Sequence, residues 1–419
     1  MSNMTGAFAD YLLAKSLKIN KAILEKAEQC RDDYVAVATA GAAKNRLKWA
    51  ELLETIPDGN ARLFGYEKLA DSRFAALING FNAHSLELDD GQRFAMIHLG
   101  AAVISAIEAA SADFKISEND YLTGIIMGYE AACRLSIAMQ PSHKQKGFHT
   151  AGTCGTVGAA VGVGFALRMN RTQLKRIITL AAGSAAGMLE IQEQQSELKP
   201  YNLGRAAMDG LMAAYMGNVD FESPDDMIGG ERGFFATFSD SRNPDKLTEE
   251  QEYFEIQRIY VKPYASCRHS HSAVEAALRM RGRIQGKTIE SIRVETYRLG
   301  VKGHDHTEIK GTASAKLSTP YAVAAALLYG RADLKVFEPI DETAVQLASK
   351  ILVVENEDLT NESPKKRIAT LMVKLSDGSE ETETVEYAKG DPENPMTLEE
   401  LTQKWNALAA YADAEKRSL

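Results

Sequence analysis

The chain has 419 residues, 45% of them hydrophobic and 25% charged, with a formal net charge of −9. That balance is ordinary for a globular protein, and the length suggests two or three domains. A modest acid excess with no long Lys/Arg run argues against nucleic acid as a partner but not against a small anion held by local positive charge. Cys30, Cys133, Cys154 and Cys267 are scattered, with no CxxC pair. Reduced thiols in the cytoplasm are therefore expected, not a disulfide framework. The N-terminal stretch MSNMTGAFADYLLAKSL lacks the basic and long apolar segments of a signal peptide.

From Thr5 to about Gly217 the dominant period is helical. Leu77, Phe81, His84 and Leu88 fall on one face at spacings of four, three and four. Helices are expected over Ala101–Ala112, Tyr121–Ala138, Gly155–Met169, Thr172–Leu189 and Arg205–Gly217. The longest uncharged run, Thr150–Leu167, is rich in Gly and Ala. It is weakly hydrophobic for a membrane span, and close packing of buried helices explains it better.

The pattern changes near residue 256. Ile289–Arg298 alternates, with Ile292, Val294 and Thr296 on one side, and Arg367–Leu375 and Glu380–Tyr387 flank a turn centred on Asp377-Gly378. Helical patterns at Ser272–Ile284, Pro320–Tyr329 and Asp341–Ile351 lie between the strands, and Thr397-x-x-Glu400 is a capping box for a last helix. The expected architecture is mainly α: a large all-helical domain over 1–258, completed by a C-terminal helix over 396–419, and a smaller α+β domain over 259–395.

The chemistry-bearing residues gather in a few motifs. FNAHSLELDDGQRFAMIHLG places Glu87, Asp89, Asp90 and Arg93 before His98. The acids could be a solvated helix end, with Gly91 as its left-handed cap. Carboxylates oppose the dipole there, however, so Arg93, a histidine or catalysis should justify them. His149 stands before TAGTCGT, Lys199 and Arg205 flank PYNLG, and Lys262 opens KPYASCRHSH, which carries Cys267, Arg268, His269 and His271. All four motifs put a basic residue just ahead of an expected helix start, where unpaired N–H groups bind anions. They suggest a converging polyanion site. Arg205 suits bidentate carboxylate binding. Tyr321, in AKLSTPYAVAAAL, could serve as a proton donor.

A bland reading competes with each: a core histidine, solvated lysines, a core phenol, glycines that merely pack. Cys267 with His271 as base would be a nucleophile. HSH with His304-Asp305-His306 supplies metal donors, but His-x-His is a weak signal, and no metal is expected. A P-loop, a GxGxxG after a strand, HExxH and GxSxG are all lacking, so no cofactor is announced. The inventory suits proton transfer beside a carboxylate, with cations stabilising an enediolate.

In order, HSLELDD…H, GFHTAGTCGT, KPYNLGRAA, KPYASCRHSH, AKLSTPYAVAAAL and KGDPENPM resemble the MmgE/PrpD superfamily over nearly the whole chain. Its activities include methylcitrate dehydration, cis-aconitate decarboxylation and iminodisuccinate epimerisation. The resemblance implies a helical domain with an α+β lid, a homodimer, an active site between domains, no metal or organic cofactor, and a small di- or tricarboxylate substrate. Matched by motif, it points to Glu87, Asp89, Asp90, His98, His149, Lys199, Lys262, Cys267, His271 and Tyr321. Three positions depart from the family pattern: Glu87 where Asp is usual, Gly91 for a hydroxyl residue, and His98-Leu99 for His-Pro. They argue for a substrate other than methylcitrate or cis-aconitate. The expectation is a lyase, dehydratase or decarboxylase. The alternatives are a dicarboxylate epimerase and a non-catalytic carboxylate-binding protein.

Overall fold

A computed structural model describes residues 3–417, and these divide into two compact units. Unit 1 comprises residues up to Glu193, Glu197–Ile259 and the chain from Leu401 onward; unit 2 is Gln194–Ser196 with Tyr260–Glu400. The chain is mainly α, with one smaller α+β portion, as the periodicity indicates.

Unit 1 is built around helix Thr150–Ala166, buried along its whole length. Helices Gly100–Asp113, Glu118–Ile137, Arg171–Ser184 and Tyr201–Met216 pack against it. The small residues of the 150–167 run are there because the neighbours come so close. A Cβ on Gly158 would stand 2.8 Å from the Gly128 carbonyl oxygen, and outside the run, in helix Tyr201–Met216, one on Gly204 would stand 2.2 Å from the Leu77 oxygen. Among the described residues no helix is long and apolar enough to cross a membrane. The last helix, Leu398–Arg417, is tied to Lys21–Thr55: Lys404 Nζ lies 2.7 Å from Asp33 Oδ1 and donates to the Leu88 carbonyl at 2.8 Å.

Unit 2 carries a four-stranded sheet in the order Ile351–Glu355, Ile289–Thr296, Ala369–Leu375, Glu380–Val385. The first pair is parallel and the other two antiparallel, with Val294 opposite Val353 on one side and Leu371 on the other. Ile292, Val294 and Thr296 are buried, as their alternation requires. Helix His271–Ile284 covers the strands Ala369–Leu375 and Glu380–Val385.

Three expectations about elements need correction. The helix expected over Asp341–Ile351 stops at Ala348, and Ile351–Glu355 is a strand. Its ILVVE run is β-branched and finds a parallel partner, which helical periodicity could not reveal. The helix expected to reach Leu189 ends at Ser184, before Gly187 at φ +132°. A short ladder, Asp58–Arg62 with Leu69–Ala70, interrupts the helical region.

Candidate active site

The acidic motif is not a solvated turn. Helix Ser72–His84 ends into it, yet Glu87, Asp89 and Asp90 are all buried. Glu87, not Gly91, takes the left-handed conformation, at φ +55°. For a residue with a Cβ that costs on the order of 1 kcal/mol. Beyond it, Gln92 and Ile97 exchange backbone hydrogen bonds of 2.9 and 3.3 Å. This pinched loop brings His98 back beside the acids.

Asp89 Oδ2 accepts from His84 Nδ1 at 2.7 Å and lies 3.3 Å from His98 Nδ1. The two imidazole centroids are 4.8 Å apart. His98 Nδ1 also reaches the Asp90 carbonyl at 2.7 Å. A carbonyl only accepts, so Nδ1 carries the hydrogen and the basic lone pair of neutral His98 is on Nε2.

Asp90 itself is a fastening. Its carboxylate accepts from Tyr129 Oη at 2.5 Å and from the Gly100 and Leu99 amides at 2.9 and 3.3 Å. It thus caps helix Gly100–Asp113, where backbone N–H groups favour an anion. Burial pushes its pKa up, and Tyr129 and the Gly100 amide hold it down. These bonds fasten the carboxylate of Asp90 to Tyr129 and to the helix start.

Glu87 Oε1 binds Lys199 Nζ at 2.5 Å and stands 3.5 Å from His84 Nε2. That nitrogen of His84 is buried without a hydrogen bond. His149 precedes helix Thr150–Ala166 and accepts at Nδ1 from the Asn202 amide at 3.0 Å, which leaves the hydrogen on Nε2. Burial first, then the charges of Lys199, His84 and His98, hold its pKa well below the usual histidine range. His149 is thus a neutral donor. Three of the four helix-start motifs, those of His98, His149 and Lys199, meet within unit 1.

Other expected residues are engaged elsewhere. Arg205 donates to the carbonyls of Ser184, Gly152 and Ala186 and pairs with Asp209, so its guanidinium is engaged by neighbouring segments. Arg93 is buried, its guanidinium 5.0 Å from the Phe94 ring centroid. In unit 2, His271 accepts from Arg268 at Nδ1 (2.8 Å) and donates from Nε2 to the Ser266 carbonyl (3.1 Å). Both ring nitrogens are thus engaged by neighbours in this structure. Arg268 also pairs with Asp391 at 2.8 Å. The Tyr321 hydroxyl donates to the Val336 carbonyl (2.7 Å) and accepts from the Asp341 amide (3.0 Å), which anchors it within unit 2. Lys262 is buried in the same unit. Cys267 Sγ lies 3.8 Å from His304 Nε2, and His269 Nδ1 2.6 Å from the Tyr297 hydroxyl.

Sequence reasoning missed His84 and Tyr129 as parts of the site. His84 had a signal: a histidine on an apolar helical face, three and five residues before acids. Tyr129, thirty-nine residues from its partner Asp90, had none.

The described residues thus form a mainly helical unit that holds a buried acid–imidazole–lysine cluster, and an α+β unit. The chain belongs to the MmgE/PrpD family: residues 6–247 match the MmgE/PrpD N-terminal domain and residues 264–419 the C-terminal domain. It is similar to the cis-aconitate decarboxylase of Aspergillus terreus, 25% identical over 94% of this chain and 86% of the relative. It is also similar to the cis-aconitate decarboxylases of Homo sapiens (24%; 80% and 72%) and Mus musculus (23%; 80% and 72%). The resemblance read from the motifs is thereby established.

Proposed function

We propose that the chain is a lyase that moves a proton next to a carboxylate on a small di- or tricarboxylate, by decarboxylation or dehydration. The family relationship to cis-aconitate decarboxylases supports a lyase-type activity. The observation that carries the reading is the single Asp89 carboxylate shared by His84 and His98, beside Lys199 and His149.

In this mechanism His98 Nε2 exchanges a proton with the substrate carbon. Asp89, 3.3 Å from Nδ1, offsets the imidazolium charge that develops. Lys199 binds a substrate carboxylate; an ammonium has three N–H donors, so it can serve Glu87 as well. His149, kept neutral, donates from Nε2 to the oxygen that gains charge as the enediolate forms, without introducing a second cation. Asp90, capped by Tyr129, fixes the His98 ring through its carbonyl.

The test is proton NMR of cis-aconitate and a panel of di- and tricarboxylates with the protein in heavy water. At least one substrate should exchange or turn over. His98→Ala and Lys199→Ala should each abolish this with the circular dichroism unchanged. Full activity in both variants sinks the site assignment. Tight binding by the unmodified protein without exchange would make it a carboxylate-binding protein instead.

A further inference from the structure

Asn202 lies in the KPYNLGR motif between Lys199 and Arg205, is 3% exposed, and has no duty of its own in the mechanism above. It is the second residue of helix Tyr201–Met216. Its side-chain nitrogen faces two groups at once: His149 Nδ1 at 3.0 Å and the Met188 carbonyl at 3.3 Å. An amide NH2 carries two hydrogens, one for each partner.

The Met188 carbonyl decides which way this amide points. A carbonyl oxygen only accepts, so turning the amide over would set Oδ1 against it, two acceptors with no hydrogen between them. With the NH2 group held there, the ring nitrogen of His149 beside it has to accept as well. The neutral ring then carries its hydrogen on Nε2. Polarity passes from a backbone carbonyl, through a side-chain amide, to an imidazole.

The backbone around these three groups is tightly fastened. The His149 amide donates to the Gly187 carbonyl at 3.0 Å and the Leu189 amide to the Gly147 carbonyl at 2.8 Å, on either side of an antiparallel bridge between Phe148 and Met188. Gly152 and Gly187 let this ladder close on Asn202. A Cβ on Gly152 would lie 2.5 Å from the Ala186 carbonyl oxygen, and one on Gly187 3.4 Å from Asn202 Oδ1.

We infer that Asn202 is a positioning residue that locks His149 in the Nε2–H tautomer, with the Met188 carbonyl as its anchor. His98 is set the opposite way, with its hydrogen on Nδ1, by the Asp90 carbonyl. Two backbone carbonyls thus give two histidines of one site opposite tautomers, one directly and one through an amide. A lone pair at Nε2 of one ring and an N–H at Nε2 of the other suit a proton leaving carbon while an oxygen gains charge. Burial and the charges of Lys199, His84 and His98 disfavour a protonated His149, so the tautomer of the neutral ring decides whether it can donate. The catalytic consequence rests on the proton-transfer reading above, whereas the tautomer is measurable without substrate.

Nitrogen-15 NMR of the full-length protein, labelled at histidine, tests the lock. The chain has eight histidines, and His149→Gln identifies the His149 signals by their loss. In the parent, Nδ1 should show the downfield shift of an unprotonated ring nitrogen and Nε2 the shift of an N–H; this needs no variant at Asn202. Asn202→Asp keeps the side-chain shape, but a carboxylate only accepts, so the hydrogen should move to Nδ1 with the circular dichroism unchanged. On whichever substrate the heavy-water panel yields, kcat of that variant should fall about a hundredfold, as for loss of one preorganised donor, while KM changes little. A parent His149 with hydrogen on Nδ1, or an Asn202→Asp protein whose His149 signals match the parent's, would overturn the inference. A moved hydrogen with an undiminished rate would uphold the lock and overturn the duty given to His149 in the proposed mechanism.

Discussion

Asp89 gives one carboxylate oxygen to two imidazoles, and the two rings differ in exposure. His98 is partly accessible, whereas the His84 side chain is fully buried. In the proposed mechanism His98 is the ring of this pair that meets the substrate, and His84 acts through Asp89 as a positioning residue. His84→Leu should lower kcat by about tenfold or more while KM moves little, and should shift the pH–rate profile that reports His98. His84→Asn, whose amide can donate to Asp89 as Nδ1 does, should recover part of the rate. A rate and pH profile equal to the parent's in His84→Leu would refute the role. At this scale the sequence showed which residue types gather but not their duties. Asp90 and Asp89 are adjacent acids in one motif, yet one caps a helix with Tyr129 and the other serves two histidines. Hydrogen-bond partners 39 residues apart separate them, and spacing in the motif cannot encode that.

Helices reach the site by close approach. Gly204 lies in Tyr201–Met216, one turn after Lys199, against Ser72–His84, the helix that leads into the acidic motif. Gly204→Ala would place a methyl carbon 2.2 Å from the Leu77 carbonyl oxygen, a backbone atom with little room to move. The expected cost is about 2 kcal/mol, read as a lower urea midpoint at unchanged m-value. The same displacement should reduce activity, because it moves Lys199 relative to Glu87. Unchanged stability would show that the two helices can part without strain. The Gly- and Ala-rich segments announced tight packing in the sequence, and their helical period was legible. Ile351–Glu355 was not, because a short apolar run takes its identity from a partner strand more than fifty residues earlier.

For the molecule as a whole, two buried histidines contribute to the response to acid. Burial pushes His143 down from 6.5 to about 4, and burial first also holds His149 well below its ordinary value. His143 is tied to Thr153 Oγ1 at 2.8 Å and the Phe238 carbonyl at 3.1 Å. In the unfolded chain both rings protonate near 6.5. Between that value and the folded one the unfolded state binds more protons, so stability falls as pH falls. His143 alone should contribute a loss of about 3 kcal/mol between pH 6.5 and pH 4. Urea unfolding at steps across this range checks it. His143→Gln, which keeps a neutral hydrogen-bonding side chain, should flatten the decline. An equal slope in parent and variant would rule out the contribution of His143.

Periodicity was enough to determine that the chain is mainly α with a smaller α+β portion, since which face of each segment seeks burial is a local property. Motif order was enough to identify the family, and the inventory of imidazoles, acids and lysines led to the proposal of acid–base chemistry. Tertiary structure decided the partners. It buried the acids of the 87–90 stretch, added His84 and Tyr129, spent Arg205 on carbonyls, and tied His271 and Tyr321 to backbone groups. The physical reason is that a polar side chain's duty depends on which partner satisfies it when water is removed, and those partners come from segments that only folding brings together.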